Sequence, residues 1–522
     1  MSQILPPDHT EASLRAGLAA MAKIVGDAHV FTKPEHLAGF RDPYSLSADD
    51  FVPAAAVAPA SVEEVQVLLK IANEHKLPLW VVSCGKNYCY GGAAPCLSGA
   101  IVLDLKRMKK IEVNEDLAYA IVEPGVTYFD LYNYLQAKGS RLWIDCAAPG
   151  WGSVMGNALD YGVGYTPYAD HAGFQCGMEV VLPNGDLVRT GMGGIDGNPA
   201  WAAYKHSFGP SLDGLFKQSN FGVVTKMGIW LMREPEMFIS CNVTVPGDED
   251  IVPLVDISRE LRLAGHIQGA VTAGNWMRTI CSRTTHAAWA EGSDKPLNET
   301  QIAKLIDKYK IGRWNATFGL YGGAEVTPLH LKAVQAAYAR IPGAKLDFKI
   351  YNRGDKIGLA DTLSAGVPNL LCFTTLDWRG GSGAHIEFCP VLPMHGETFY
   401  KRYRRSLGLF TDYGFDCYSG VLSTTERAAA NTGSIIFDRG NANQVKRAEA
   451  LFHALVKSTG EDRLGVYRTH ISFMDAVAKT FDFNNGATMR AYQQLKDALD
   501  PNGILSPGKS GIWPRHLRKA RG

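Results

Sequence analysis

The sequence predicts an α+β protein of two domains with a distinct C-terminal segment, and three observations predict it. The chain has 522 residues, beyond the length at which a single hydrophobic core keeps growing before a chain divides. Apolar residues follow helical and extended periodicities by turns along the whole chain, with no internal repeat. The pattern changes near Pro235 and Pro246, from short strands between glycine-rich turns to longer helices alternating with strands. The expected units are 1–238, 239–485 and a C-terminal segment, 486–522.

Helical spacing puts Leu14, Leu18, Met21 and Val25 on one face over residues 13–26. Ser61, followed by Glu63 and Glu64, caps a second helix carrying Val65, Leu68 and Ile71. Short strands follow at Leu79–Ser83, Ile101–Leu103, Ala118–Val122, Met178–Leu182 and Val223–Thr225, with turns such as Asn184-Gly185-Asp186 between them. Beyond Pro246, helices are expected near 251–264, 299–310, 329–340, 395–412 and 445–459, and strands at 346–350, 385–389 and 434–437. A last helix runs through Leu495–Asp500 until Pro501-Asn502-Gly503 stops it.

Apolar residues are 46% and charged residues 20% of the chain, which fits a globular protein and excludes a disordered or fibrous one. The formal charge of +1 lacks the positive excess a nucleic-acid binder directs at phosphates. The basic runs Lys401–Arg405 and Arg515–Arg521 read as solvated faces. No secretory start and no membrane-spanning apolar run is visible, and the tail Lys519-Ala520-Arg521-Gly522 is not a peroxisomal address, so a cytoplasmic location is expected. The ten cysteines are scattered without metal-ligand spacing, so free thiols and no metal site are expected.

Four segments hold residues suited to chemistry. Ser83–Gly92 follows a strand, and its glycines would let backbone N–H groups converge on phosphate oxygens, or simply turn the chain. Two further glycine-rich stretches, 149–168 and 190–194, make an extended ligand more plausible than one loop does. Strand periodicity puts His385 and Glu387 on one face, where the imidazole could be a ligand, a base, a flavin attachment point or a structural group. Tyr467-Arg468 suits an oxyanion, though adjacent strand residues point to opposite faces and can share a ligand only at a strand end.

Taken together, these segments resemble the 4-phenol-oxidising flavoproteins of the vanillyl-alcohol oxidase, eugenol oxidase and p-cresol methylhydroxylase family, over nearly the whole chain. The phrases that carry the resemblance are GKNYCYGGAAP at 85–95, EPGVTYFDLYNYLQ at 123–136 and GWGSVMGNALDYGVGYTPYADH at 150–171. NGDLVRTGMGG at 184–194, SNFGVVTKMG at 219–228, YRTH at 467–470 and PNGILSPGKSGIWP at 501–514 add to it.

The resemblance implies a two-domain FAD-binding fold in which the C-terminal segment returns to the first domain and an α+β cap covers the isoalloxazine. FAD would contact Gly85, Lys86, Asn87, Gly91, Gly92, Gly150, Ser153, Asn157, Gly222 and Val224, with Lys509 near the flavin N1/O2 edge and a single covalent bond to His385. The position of the methylhydroxylase's attachment tyrosine is matched by Leu376, which cannot serve. Tyr90, Tyr467 and Arg468 resemble the phenolate-binding trio, with Tyr168 a further pocket residue. The implied reaction removes hydride from the benzylic carbon of a para-substituted phenol to flavin N5 through a p-quinone methide. O2 is the expected acceptor, giving hydrogen peroxide; the alternative is a dehydrogenase subunit passing electrons to a cytochrome c partner. A homodimer or higher homo-oligomer is implied by the resemblance alone. The oxidases' aspartate beside the flavin is matched here by Ala148, and Glu387 is the candidate to replace it from the opposite wall.

Overall fold

The computed structural model describes residues 4–47 and 50–518, so the end of the basic tail at 519–522 lies outside the described residues. Thr10 caps the helix Glu11–Val25 by accepting the Ser13 N–H, and the helix buries Leu14, Leu18, Met21 and Val25. Ser61 caps Val62–His75 through the Glu64 N–H, with Glu63 and Glu64 at its electropositive end. Both helices share a core with a four-stranded sheet ordered Val30–Phe31, Ala55–Val57, Ile101–Asp104, Leu79–Val82. The last three strands are parallel, and the helix Val62–His75 supplies the crossover such pairing needs. Ligands of open α/β sheets gather outside the carboxyl ends of parallel strands, and Ser83–Gly92 leaves the carboxyl end of Leu79–Val82.

Next comes a five-stranded antiparallel sheet ordered Ile111–Asn114, Tyr119–Val122, Val223–Trp230, Gln175–Val181, Leu187–Arg189. The long excursion between Tyr119–Val122 and Gln175–Val181 contains the 150–171 segment and its short helix Val154–Leu159. The chain's last part then comes back. Leu79 N–H donates to the Ile504 carbonyl and Ser506 N–H to the Leu79 carbonyl, each at 2.7 Å, beside the edge strand of the first sheet.

Between these parts lies a nine-stranded antiparallel sheet built from residues 237 to 466. The helices Ile251–Leu263, Thr327–Tyr338, Gly396–Asp412 and Ala442–Glu461 share its main core, with Trp314, Phe318, Phe399, Tyr403, Phe410 and Phe452 at the centre. The strand Gly383–Phe388 alternates strictly: Ala384, Ile386 and Phe388 enter that core, leaving His385 and Glu387 on the other face.

The run Lys401–Arg405 is not the solvated face that its charge suggests. On the helix Gly396–Asp412, Arg402 and Tyr403 face inward with Phe399, Ser406 and Phe410. Arg402 is 1% exposed and donates to Ser458 and Asp462, each at 2.9 Å. Adjacent residues on a helix differ by about 100° in direction, so a charge run straddles both faces. All ten cysteines are free thiols. Among the described residues, no helix is long and apolar enough to cross a membrane, and no group of His, Cys, Asp and Glu is placed to hold a metal ion.

Candidate active site

A cavity of about 1010 Å³ is lined by residues from the small sheets and the large one alike, at the upper end of the roughly 300–1,000 Å³ of ligand pockets. Gly85, Lys86, Asn87 and Gly92 reach its wall from the loop after Leu79–Val82. Gly85 holds φ +63°, and a Cβ there would meet the Ala93 Cβ at 2.8 Å, so only glycine fits. The N–H groups of Gly85, Lys86 and Asn87 meet no acceptor among the described residues. Backbone amides without acceptors on a cavity wall are donors that a pyrophosphate can use, and this wall suits the phosphate-bearing middle of FAD.

Ser153, Asn157, Gly222, Val224 and Lys509 also line the cavity. Ser153 caps Val154–Leu159 and donates to the Pro124 carbonyl at 2.7 Å. Lys509 pairs with Asp160 at 2.8 Å. Asn157 belongs to a buried network absent from the sequence reading: its Oδ1 lies 2.5 Å from His171 Nδ1, and His171 Nε2 lies 3.0 Å from Asp145. Asp145 in turn accepts the Thr166 N–H at 2.7 Å, so the network pins the 150–171 segment against the wall. No local signal in the sequence joins these residues.

Three expected positions fall elsewhere. A Cβ on Gly91 would strike the Ile471 side chain at 2.7 Å, and one on Gly150 would strike Pro368 at 2.6 Å; each glycine serves packing, and neither lines the cavity. Tyr168 is also off the wall. Its ring stacks on Phe174 at 4.3 Å between centroids, while Tyr165, three residues earlier, takes the cavity-facing place.

Tyr90, Tyr467 and Arg468 meet at one end of the cavity. The strand Gly465–Val466 pairs with Pro390–Val391 and ends there. Tyr467 and Arg468 thus follow a strand end, the place from which both can face one ligand. Gln218 holds the Tyr467 carbonyl at 2.8 Å. The Arg468 guanidinium carbon lies 4.3 Å from the Tyr90 ring centroid and 5.6 Å from that of Tyr467. Its Nε is buried without a partner, and no carboxylate pairs with it among the described residues. Burial pushes the Tyr467 hydroxyl up to about 12, against the pull of Arg468, and the Tyr90 hydroxyl is raised for the same reason. Two protonated phenols and a cation therefore face the cavity as a donor set suited to an anion, with the Tyr90 hydroxyl also 3.8 Å from the Cys389 Sγ.

Further along the wall, His385 Nδ1 lies 3.3 Å from Glu387 Oε1. Glu387 also accepts the Ser434 hydroxyl. Burial pushes its carboxyl up, but His385, Ser434 and Arg278 together outweigh that and hold it below the usual glutamate range. Leu376 does not reach the wall, whereas Ala148 does.

Comparison with known proteins agrees on the cofactor and on the whole chain. An FAD binding domain model matches residues 53–191, and a model of the C-terminal domain of FAD linked oxidases matches residues 433–510. The flavoprotein subunit of 4-cresol dehydrogenase (hydroxylating) from Pseudomonas putida is 35% identical over 98% of both chains. The structure of 4-ethylphenol oxidase from Gulosibacter chungangensis, in complex with isoeugenol, superposes with a TM-score of 0.94 at 35% identity, covering 98% of this chain and 100% of that one. Substrate-bound p-cresol methylhydroxylase gives 0.92 at 34% identity, covering 98% and 99%.

Proposed function

The chain belongs to the FAD-dependent phenol-oxidising flavoproteins of the vanillyl-alcohol oxidase and p-cresol methylhydroxylase family, and on that premise we propose how its cavity performs the reaction and what accepts the electrons. It oxidises para-substituted phenols by way of a p-quinone methide. The observation that carries the site assignment is Arg468, buried between Tyr90 and Tyr467 with no carboxylate partner among the described residues. These three groups take up the phenol as its phenolate. Their donors stabilise the charge, and the electron density it pushes toward the para position lets hydride leave the benzylic carbon. FAD, when bound, supplies the acceptor for that hydride.

The finer assignments rest on support of different kinds. Oxygen is the acceptor we favour, yielding hydrogen peroxide, on likeness to a phenol oxidase at 35% identity. The rival reading, electron transfer to a cytochrome partner, has the equal likeness to a dehydrogenase subunit and the alanine at position 148 in its favour. His385 is the covalent attachment point, supported by an imidazole on the cavity wall whose Nδ1 is held by Glu387. The division at 1–238, 239–485 and 486–522, and a homodimer as the basic unit, complete the proposal.

Anaerobic mixing with 4-ethylphenol tests the site. The wild-type flavin should bleach, and Arg468→Ala should lose about 2–4 kcal/mol of transition-state stabilisation, the usual consequence of removing a directed oxyanion donor. Equal reduction by both would remove Arg468 from the mechanism. In air, rapid peroxide release decides for the oxidase; bleaching without peroxide decides for the cytochrome-linked enzyme.

A further inference from the structure

Two guanidiniums line the cavity, and the phenolate accounts for one. The other, Arg278, stands on the short helix Trp276–Ile280 that follows the strand Thr272–Asn275 of the large sheet. Its stem lies over a bare patch of that sheet. Gly274 and Gly420 are direct partners across two antiparallel strands. A Cβ on Gly274 would meet Arg278 Cδ at 2.8 Å, and one on Gly420 would meet the same atom at 3.0 Å. Any larger residue at either position would crowd the arginine out.

The head group is poorly satisfied for a buried cation. Its Nη1 reaches the Ala273 carbonyl only at 3.5 Å, and Tyr418 is its one side-chain hydrogen-bond partner. Among the described residues, no carboxylate lies within ion-pairing distance of it; Glu387, the acid whose charge acts on it, is engaged by His385 and Ser434. A buried, unpaired guanidinium is costly, and Arg468 is in the same condition where the phenolate belongs.

Tyr165, Tyr418 and Ser282 share the wall with Arg278. Burial pushes the Tyr165 hydroxyl up to about 12 and raises that of Tyr418 as well, so both stay protonated. Because Arg278 can only donate, the Tyr418 oxygen accepts from it and its O–H remains available to a ligand.

We propose that Arg278, with the hydroxyls of Tyr165 and Tyr418, forms a second anion-accepting subsite that takes a carboxylate at the end of the substrate's para side chain. The favoured substrates are then 4-hydroxyphenyl-alkanoates, held at both ends, ahead of plain 4-alkylphenols. This assignment rests on the phenol-oxidation reading above, and its test separates the two.

The holoenzyme is titrated anaerobically with 3-(4-hydroxyphenyl)propanoate and with its uncharged counterpart 4-propylphenol. Dissociation constants are read from perturbation of the flavin spectrum, and bleaching is recorded separately. Wild type should bind the propanoate more tightly. Arg278→Met and Arg278→Gln should each lower that preference by about tenfold to a hundredfold, the scale of a lost charged hydrogen bond, while Arg278→Lys keeps most of it. Tighter binding of 4-propylphenol by wild type, or an unchanged ratio in both neutral variants, overturns the subsite. Bleaching by neither compound removes the phenol-oxidation reading; a preference that still falls on neutralising Arg278 then upholds the anion subsite by itself.

Discussion

Glu387 is a carboxylate whose pKa burial alone would raise, yet its neighbours hold it below the usual glutamate range. His385 contributes most to this, then the Ser434 hydroxyl and Arg278. Since its folded value is depressed, its contribution to stability is complete above the unfolded glutamate value of about 4.3 and is lost as pH falls through the lower folded value. Glu387→Gln keeps the size and removes the charge, so urea midpoints of wild type and variant should differ at pH 7 and converge in acid. If Glu387 replaces the carboxylate missing at Ala148, the same variant changes the alcohol-to-alkene ratio obtained from 4-ethylphenol. An unchanged rate and ratio would leave Glu387 a structural partner of His385. The shared face of these two residues was legible from strand periodicity. That Ser434 and Arg278 complete the group was not, because Ser434 comes from another strand and Arg278 from a helix distant in the chain.

The C-terminal helix shows what one element contributes. Lys496, on Phe483–Leu499, is fully buried. Its ammonium donates to the Asp500 carboxylate at 2.7 Å and to the carbonyls of Asn220 and Leu505 at 2.8 and 2.7 Å. All three donors are used, and they tie the returning segment to the loop before Val223–Trp230. Lys496→Met would leave Asp500 charged and uncompensated, at a cost of about 3–5 kcal/mol. Urea unfolding should show a markedly lower midpoint and earlier flavin release; an unchanged midpoint would mean that the pair does not anchor the segment. At this scale the sequence was most readable for helices. The expected 251–264, 299–310 and 395–412 lie within a residue of Ile251–Leu263, Glu299–Tyr309 and Gly396–Asp412, because amphipathic spacing and caps are local. The strands Met237–Val245 and Trp314–Gly322, central to the large sheet, were not among the expected ones. Trp314–Gly322 is buried nearly throughout, which hides the alternation that marks a strand, whereas Met237–Val245 alternates from Ile239 to Val245, a period-2 signal that the sequence did carry.

For the whole molecule, the consequence of two bodies closing on one cavity is retention of the cofactor. With His385 bonded to FAD, flavin fluorescence should stay with the polypeptide after denaturation and precipitation, and His385→Ala should release it. Complete release from wild type would sink the covalent assignment. The sequence by itself determined the α+β class, the amphipathic helices, the glycine-rich loops and, through family likeness, the cofactor and chemistry. Each depends on spacing along the chain or on phrases of consecutive residues. Only the tertiary structure decided which loop residues face the cavity. Tyr165 does and Tyr168 does not; Gly85 and Gly92 do, whereas Gly91 and Gly150 pack against Ile471 and Pro368. It also brought Arg278 to the wall, across a glycine pair contributed by two distant strands. Periodicity tells which side chains share a face, but what covers that face is set by non-local pairing and packing, and these leave no mark in a short window of sequence.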